Sequence, residues 1–533
     1  MITGSLPGSE GGTFSSGVDQ EVIRVLRPSD GSLVGELAIT PAHDVSQLVS
    51  RTRSVQAGWA SLPAKDRSRR LRGLLGAIAD RTQEIEDTVI AETGKPRAEA
   101  IIEVMTVVEH LRYHLKHASD LFRPQRASTG WMVWKKGLIQ REPLGVIGVI
   151  SPWNYPFILA MNPTMTALFG GNGVVLKPSE FTPYSGLLVE DLVRDAGLPE
   201  GLVHVVIGGG DTGEALVRSG VDKVFFTGGP RTGRAVLAAA ADTLTPVVLE
   251  LGGKDPAIVL EDADLERAAR GVVWGSFLNA GQTCISLERV YVVEAIYDAF
   301  LREVLVQVRK LRVGSTSGVE VGPMTTPAQL AWVESQLAAA VEDGARVVTG
   351  GSRTDPASNV FEPTILTGIS PNSGILTQET FGPVLPIIQV RDGEEAVEEA
   401  NGSPYGLSAS VWTRDRSRGV ALALRLRAGA VCVNDALVHF GVPSLPFGGV
   451  GESGFGRSNG EEGLKEMTRT KSVLVDRLGL KREPWWFPYS RGTERMLKGT
   501  LLVRLDGGAK RILAGVAQMW KGMRGWALGG EGR

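Results

Sequence analysis

Between Pro41 and His117 apolar residues recur every three or four positions, as in Asp44-Val-Ser-Gln-Leu-Val, Leu71-Arg-Gly-Leu-Leu-Gly-Ala-Ile and Ile85-Glu-Asp-Thr-Val-Ile. This spacing predicts a layer of packed helices. The pattern then changes. Gly145-Val-Ile-Gly-Val-Ile150 is a short apolar, β-branched run, and Gly173-Val-Val-Leu-Lys177, Val203-His-Val-Val-Ile207 and Lys223-Val-Phe-Phe-Thr227 repeat it. Helical stretches lie between these runs, from Tyr184 to Ala196 and from Gly213 to Ser219. Apolar runs alternating with helices predict a parallel sheet covered on both faces. A second series follows Glu250: Pro256-Ala-Ile-Val-Leu260, Arg289-Val-Tyr-Val-Val293, Val347-Val, Pro386-Ile-Ile-Gln-Val390 and Ala430-Val-Cys-Val433. The expected fold class is α/β with two lobes that join between Thr245 and Gly253. Ligands in such folds bind beyond the carboxyl ends of the strands, so the junction is the expected cleft.

Length and composition narrow the function. At 533 residues the chain has room for about three units. A formal charge of -2 leaves no chain-wide electrostatic footprint for nucleic acid. The two cysteines, Cys284 and Cys432, exclude a disulfide framework and a thiolate zinc cluster, and point to a reducing, cytoplasmic compartment. His110, His114 and His117 share a helical spacing, but no acidic or cysteine ligand accompanies them in a recognised pattern, so no metal is expected. The opening MITGSLPGSEGGTFSSG lacks a cationic start and apolar core and reads as a floppy arm, and no run of about twenty apolar residues predicts a spanning helix.

Three segments carry candidate chemistry. Asn279-Ala-Gly-Gln-Thr-Cys284-Ile-Ser sets a cysteine after a turn, where it is either presented to a cleft or packed as a small buried hydrophobe. Leu249-Glu250-Leu-Gly-Gly-Lys254 puts a carboxylate before paired glycines, where a ligand can approach the backbone; taken alone, Glu250 reads first as a salt-bridging residue. Ser151-Pro-Trp-Asn154-Tyr-Pro156 holds an amide in a loop stiffened by two prolines, able to satisfy turn amides or to donate to a developing oxyanion.

Together these segments resemble the aldehyde dehydrogenase superfamily, from about Pro41 to Val475. Leu176-Lys177-Pro-Ser-Glu180, Phe226-Thr-Gly228-Gly229-Pro-Arg-Thr-Gly233, Gln378-Glu379-Thr-Phe381-Gly-Pro383 and Leu445-Pro-Phe447-Gly-Gly449 extend the likeness in family order. The resemblance implies an arm over 1–40 and a Rossmann-type NAD domain over 41–123 and 143–249. It further implies an α/β catalytic domain over 250–440, a small β oligomerisation extension over 124–142 and 441–480, and a tail over 481–533. By the same resemblance Cys284 would attack the aldehyde, Asn154 and the Cys284 N–H would hold the oxyanion, and Glu250 would activate the water that hydrolyses the thioester. Glu250 points to the hydrolytic rather than the coenzyme A-acylating type. Whether Glu250, the nicotinamide charge or the local fold generates the thiolate is open.

Cofactor contacts implied by the resemblance fall on Ser151, Trp153, Lys177, Ser179, Glu180, Gly213, Gly228, Gly229, Gly233, Leu251, Glu379 and Phe381. Gly228 to Gly233 opens a helix toward phosphate, and Glu180 on the adenosine ribose favours NAD while leaving NADP open. Two positions depart from many hydrolytic relatives: Pro163 stands where they carry lysine, and Gly229 where they carry serine. The implied partner is a small-molecule aldehyde, medium- or long-chain aliphatic or aromatic, with succinate semialdehyde as an alternative. A non-redox thioester hydrolase or acyl transferase and a catalytically retired scaffold are the competing readings. Tyr155, Leu159, Trp274 and His439 are candidate tunnel residues. Pairing into a homodimer or homotetramer would run through a ribbon from Ser128 to Gln140.

The tail stands apart. From Lys481 to Arg533 eleven Lys or Arg face four acids, with Trp485, Trp486, Trp520 and Trp526 interleaved. It reads either as a peripheral contact with the inner face of a membrane or as packing across the oligomer; its glycines argue against one long helix.

Overall fold

The computed structural model describes residues 21–483, 485–487, 489–505 and 507–527. The floppy-arm reading over residues 1–17 lies outside them, as do residues 528–533 and the side chain of Trp526. The chain divides into two compact units, one running to Arg123 and from Arg141 to Lys471, the other combining Pro124–Gln140 with the chain from Ser472 onward.

The larger unit holds two sheets. In the first, the strands lie in the order Gly454–Phe455, Val247–Glu250, Lys223–Thr227, Val146–Ile150, Gly173–Lys177 and Val203–Val205. All neighbours pair in parallel except Gly454–Phe455, which runs antiparallel to Leu249–Glu250. Successive strand residues point to opposite faces, and both faces are covered. Val146, Ile150, Val175 and Val224 pack against helices Ala42–Ser61, Gly210–Arg218 and Pro230–Ala241. Ile147, Val149, Val174 and Phe225 pack against Arg97–Leu121, Pro156–Phe169 and Pro183–Asp195. Two-sided burial is why these strands are uniformly apolar. Strand order reverses beside Val146–Ile150, which places the loops after Ile150 and Thr227 at the ligand-binding position of an open α/β sheet.

The second sheet has the order Arg346–Thr349, Thr364–Thr367, Val384–Val390, Leu287–Val293, Asp255–Val259, Ser408–Trp412 and Ala430–Val433, parallel apart from its first strand. The chain passes from one sheet to the other through Leu251–Lys254, which overlaps the end of the stretch expected as the lobe junction.

Two stretches differ from the sequence reading. Val22–Leu26 and Leu33–Ala38, inside the expected arm, pair as an antiparallel hairpin. Residues 441–471, grouped by sequence with the extension, lie in the larger unit, where Gly454–Phe455 completes the first sheet and helix Gly460–Glu466 packs on Arg97–Leu121.

In the smaller unit Gln125–Ala127 pairs antiparallel with the strand that begins at Lys135. The ribbon expected from Ser128 is therefore interrupted: Gly130, at φ +62°, turns the chain, and Trp131 and Trp134 gather against Trp485 with ring centroids 5.4–6.1 Å apart. Lys135 is ion-paired to Asp476 at 2.8 Å and to Glu483. The tail forms two helices, Arg491–Arg504 and Gly508–Ala527, rather than one.

Candidate active site

Cys284 sits between helix Leu265–Phe277 and strand Leu287–Val293, at the end of a constrained turn. Asn279, Ala280 and Gly281 are left-handed in succession, with φ of +54°, +54° and +73°. Such a conformation costs a non-glycine residue roughly 1–2 kcal/mol and persists only where its surroundings fix it. Here they do. The Asn279 N–H donates to Glu99 Oε1 (3.0 Å), and its side-chain amide donates to the carbonyls of Asn154 (3.0 Å) and Gln282 (3.1 Å). Gln282 in turn donates to the Asn279 carbonyl (2.9 Å) and accepts from the Thr325 N–H (2.8 Å). A Cβ at Gly281 would overlap the Gly382 carbonyl. The turn leaves Cys284 half-buried, its thiol pushed up by burial and by the nearby Asp255, Glu379 and Glu250 carboxyls.

Glu250, the last residue of its strand, is buried, and neither carboxylate oxygen receives a hydrogen bond of ordinary geometry, although Ser458 lies beside it. Burial pushes its carboxyl up to about 8. Asn154 is also buried. Its side-chain nitrogen faces the Gln282 carbonyl at 3.0 Å, an acceptor that fixes the amide's orientation, and one N–H remains uncommitted. Gly253 closes the group: a Cβ there would lie 2.7 Å from the Cys284 carbonyl, so the backbone after Glu250 touches the backbone of the cysteine.

Beneath this group lie ion pairs that sequence reasoning missed. Lys95 Nζ, fully buried, donates to Glu103 Oε1 (2.6 Å) and the Asn154 carbonyl (2.7 Å) and stands 4.1 Å from the centre of the Tyr155 ring. Glu103 Oε2 accepts the N–H groups of Phe157 and Ile158, both at 3.1 Å, at the start of helix Pro156–Phe169. Lys95 thus fixes the loop that carries Asn154. Lys95→Met leaves the Glu103 charge unpaired in the interior, and urea denaturation is expected to show a loss of about 3–5 kcal/mol.

Among the residues expected to meet the cofactor, helix Pro230–Ala241 starts from Gly229 with no side chain capping its N-terminal amides, and a Cβ at Gly229 would meet nothing within 4 Å. The Gly228 N–H donates to the Glu250 carbonyl at 3.0 Å, tying this turn to the base candidate. At Gly233 a Cβ would strike Leu251 Cδ2 at 2.6 Å, so glycine lets the helix close on the chain as it leaves the strand. Lys177 pairs with Glu180 at 3.5 Å, and Ser179 Oγ lies at the same distance from that carboxylate. Gly213 abuts the Lys177 stem, the Ser151 N–H donates to the Lys177 carbonyl (3.1 Å), and Ser151 Oγ is buried without a partner. The Trp153 and Phe381 rings meet edge to face at 5.5 Å. Glu379 accepts the Gly253 N–H at 3.2 Å, and its carboxyl is pushed up to about 8 by burial and by Glu288. A second buried pair, Lys254–Glu288 at 2.6 Å, pins this loop, because Glu288 also accepts the N–H groups of Thr380 and Phe381 at 2.8 Å.

Cys284 and Glu250 both line a cavity of about 560 Å³. Its walls are largely apolar: Ile158, Leu159, Pro163, Phe225, Leu278, Ile285, Leu437, Phe440, Phe447 and Met467. Ile102, Met105, Trp274 and Val438 belong both to this lining and to the exposed surface and form an apolar collar at its mouth. Among the described residues, no lysine or arginine lines it. Of the four tunnel candidates Tyr155, Leu159 and Trp274 are present; His439 is not, because it is turned inward toward Cys432, with Nδ1 3.3 Å from Sγ. His110 and His114 are also buried, against the Phe440 carbonyl (3.1 Å) and Thr166 Oγ1 (3.3 Å).

The profile of the Aldehyde dehydrogenase family matches residues 14–473. The chain is 41% identical over 482 residues to the 4,4'-diapolycopene aldehyde oxidase of Methylomonas sp, spanning 90% of each protein. It is 36% identical to the putative succinate-semialdehyde dehydrogenase [NADP(+)] 2 of Mycobacterium tuberculosis (strain H37Rv), over 86% of this chain and 89% of the relative. The crystal structure of Mycobacterium tuberculosis aldehyde dehydrogenase complexed with NAD+ superposes with a TM-score of 0.83 at 35% identity, over 89% of this chain and 98% of the other. The protein belongs to the aldehyde dehydrogenase family. It is an oxidoreductase that oxidises aldehydes with a nicotinamide dinucleotide.

Proposed function

We propose that the protein oxidises large apolar aldehydes to carboxylic acids through a thioester on Cys284. The observation that carries this reading is the largely apolar cavity, with Cys284 and Glu250 in its wall and, among the described lining residues, no cation to hold a second carboxylate.

The residues present suit a dinucleotide. The uncapped helix start at Gly229 offers open N–H groups to phosphate, the Glu180 carboxylate beside Lys177 would accept from a ribose hydroxyl and repel a 2'-phosphate, and the buried Glu379 carboxyl has an N–H donor on one oxygen. This favours NAD. When bound, the nicotinamide supplies the hydride acceptor.

The chain's own groups supply the remainder. The Cys284 sulfur adds to the aldehyde carbon; the uncommitted N–H of Asn154 and the Cys284 N–H hold the oxygen as it gains charge. After hydride departure the acyl group remains on sulfur. Glu250, in its deprotonated form, takes a proton from the water that attacks the thioester, releasing the acid and the free thiol. Burial and acidic neighbours disfavour the resting thiolate, so the Cys284 proton passes to solvent water as the sulfur bonds to the aldehyde carbon.

An aldehyde series tests the substrate class. Each methylene buried adds about 0.8 kcal/mol, so kcat/KM is expected to rise about fourfold per carbon until the cavity is filled. Succinate semialdehyde should be turned over poorly, since its carboxylate would enter an apolar cavity unpaired. The outcome that sinks the reading is a preference for succinate semialdehyde over an aliphatic aldehyde of equal length. Ester hydrolysis without dinucleotide and without aldehyde oxidation would instead favour a non-redox acyl transfer. Large apolar aldehydes partition into bilayers, and contact of the segment from 481 onward with a membrane surface belongs to this reading.

A further inference from the structure

The C-terminal hairpin reverses the usual arrangement of a helix pair in water. Where Arg491–Arg504 meets Gly508–Ala527 the packed positions are glycines: a Cβ on Gly499 would lie 2.5 Å from the Gly515 carbonyl oxygen, and one on Gly522 would lie 2.7 Å from that of Gly492. Glycines seven apart on each helix let the two backbones touch, a mode of association that needs no hydrophobic effect between the helices. The large apolar side chains are left outside. Leu497 and Leu501 follow one stripe of the first helix and Val516, Trp520 and Met523 one stripe of the second, all exposed; Leu513 is exposed to 68% and Trp520 to 57%.

Cations flank these stripes. Arg495, Lys498, Lys510, Lys521 and Arg524 lie on the same two helices, and the Arg524 guanidinium stands 5.0 Å from the Trp520 ring centre. Tyr489, exposed just ahead of the first helix, adds an aromatic group of the kind that settles at a lipid–water boundary, and the exposed Phe487 ring beside it adds apolar surface. No described helix is long and apolar enough to cross a membrane.

We propose that this hairpin docks on an anionic lipid bilayer, lying in the headgroup plane with its leucine and tryptophan stripes at the acyl boundary and its basic side chains on lipid phosphates. Exposed apolar stripes, polar-edged aromatics and a single-sign charge surplus are what an in-plane amphipathic anchor requires. The same charge disfavours a second copy as the occupant: eleven Lys or Arg against four acids from Lys481 to Arg533 make two such surfaces repel. The proposal rests on the membrane part of the function proposed above and is independent of which aldehyde is oxidised.

The test is sedimentation of the full chain with vesicles of phosphatidylcholine, with or without phosphatidylglycerol, in the absence of substrate. Binding to the anionic vesicles is expected, at least about tenfold weaker on neutral vesicles or in high salt. The triple variant Leu501→Glu, Leu513→Glu, Trp520→Glu should lose it by about a hundredfold, with unchanged turnover of a short water-soluble aldehyde and unchanged mass by light scattering. Wild-type protein that stays in the supernatant, or a triple variant that binds as wild type does, overturns the proposal. So does a fall in the variant's mass, which would assign the face to a subunit contact. Quenching of wild-type tryptophan fluorescence by brominated anionic lipid needs no variant; its absence also overturns the proposal. Failure of the aldehyde series leaves the sedimentation result standing, and the converse holds.

Discussion

Cys284→Ala is expected to abolish aldehyde-dependent NADH formation, with turnover falling by about four orders of magnitude or more. No other group near the site replaces the lost sulfur, since Cys432, the second cysteine of the chain, is buried against His439. The substitution keeps the Cβ, and the turn that presents it is held by Glu99, Asn154 and Gln282 rather than by the thiol. Fold and dinucleotide binding should therefore persist, read as an unchanged melting temperature and NAD titration. Dehydrogenase turnover surviving in this variant would remove the sulfur from the mechanism.

The second large effect concerns Glu250, where the rate splits by half-reaction. On the proposed mechanism Glu250→Gln would leave hydride transfer intact and remove the base for hydrolysis, so stopped-flow measurement should show one NADH per site followed by a steady rate about 10²–10⁴ lower. Wild-type turnover should rise as the pH passes through about 8, because the buried carboxyl accepts a proton only after losing its own. The variant should lack that limb. Stability moves the other way. Between the ordinary carboxyl range and about 8 the folded protein keeps a proton that the unfolded chain has lost, so this group's contribution declines as the pH rises through that window. A steady rate equal to wild type, with no burst, would assign the base elsewhere.

Much of this arrangement was legible in the sequence, for a definite reason. Strands such as Val146–Ile150 and Gly173–Lys177 are buried on both faces, so their apolar runs leave little choice of structure. The passage between sheets at Leu251–Lys254 was likewise marked by paired glycines after a carboxylate. The ionic supports were not. Lys254 and Glu288 are 34 residues apart, and only the folded chain brings them together. Lys95 and Glu103 are close in sequence but look like solvated charges on a polar stretch until helix Pro156–Phe169 is laid across them. Trp131 to Gln140 alternates as a strand would, yet Trp131 and Trp134 are held by Trp485, a contact that a local pattern does not encode. His439 misled for a related reason: its neighbours Val438 and Phe440 face the cavity, while a short 3₁₀ turn rotates the imidazole away from it.

The absence of lysine and arginine from the described cavity wall also bears on how a catalytic cycle ends. On the proposed chemistry a neutral aldehyde enters and an anion is made in its place, next to the carboxyl of Glu250. The head of the product is then the wrong guest for the room its precursor occupied: it loses hydration, finds no counter-charge and is repelled once Glu250 is ionised. Oxidation thus ejects its own product, and weak inhibition by the corresponding acid should be a property of the wall rather than of any moving part.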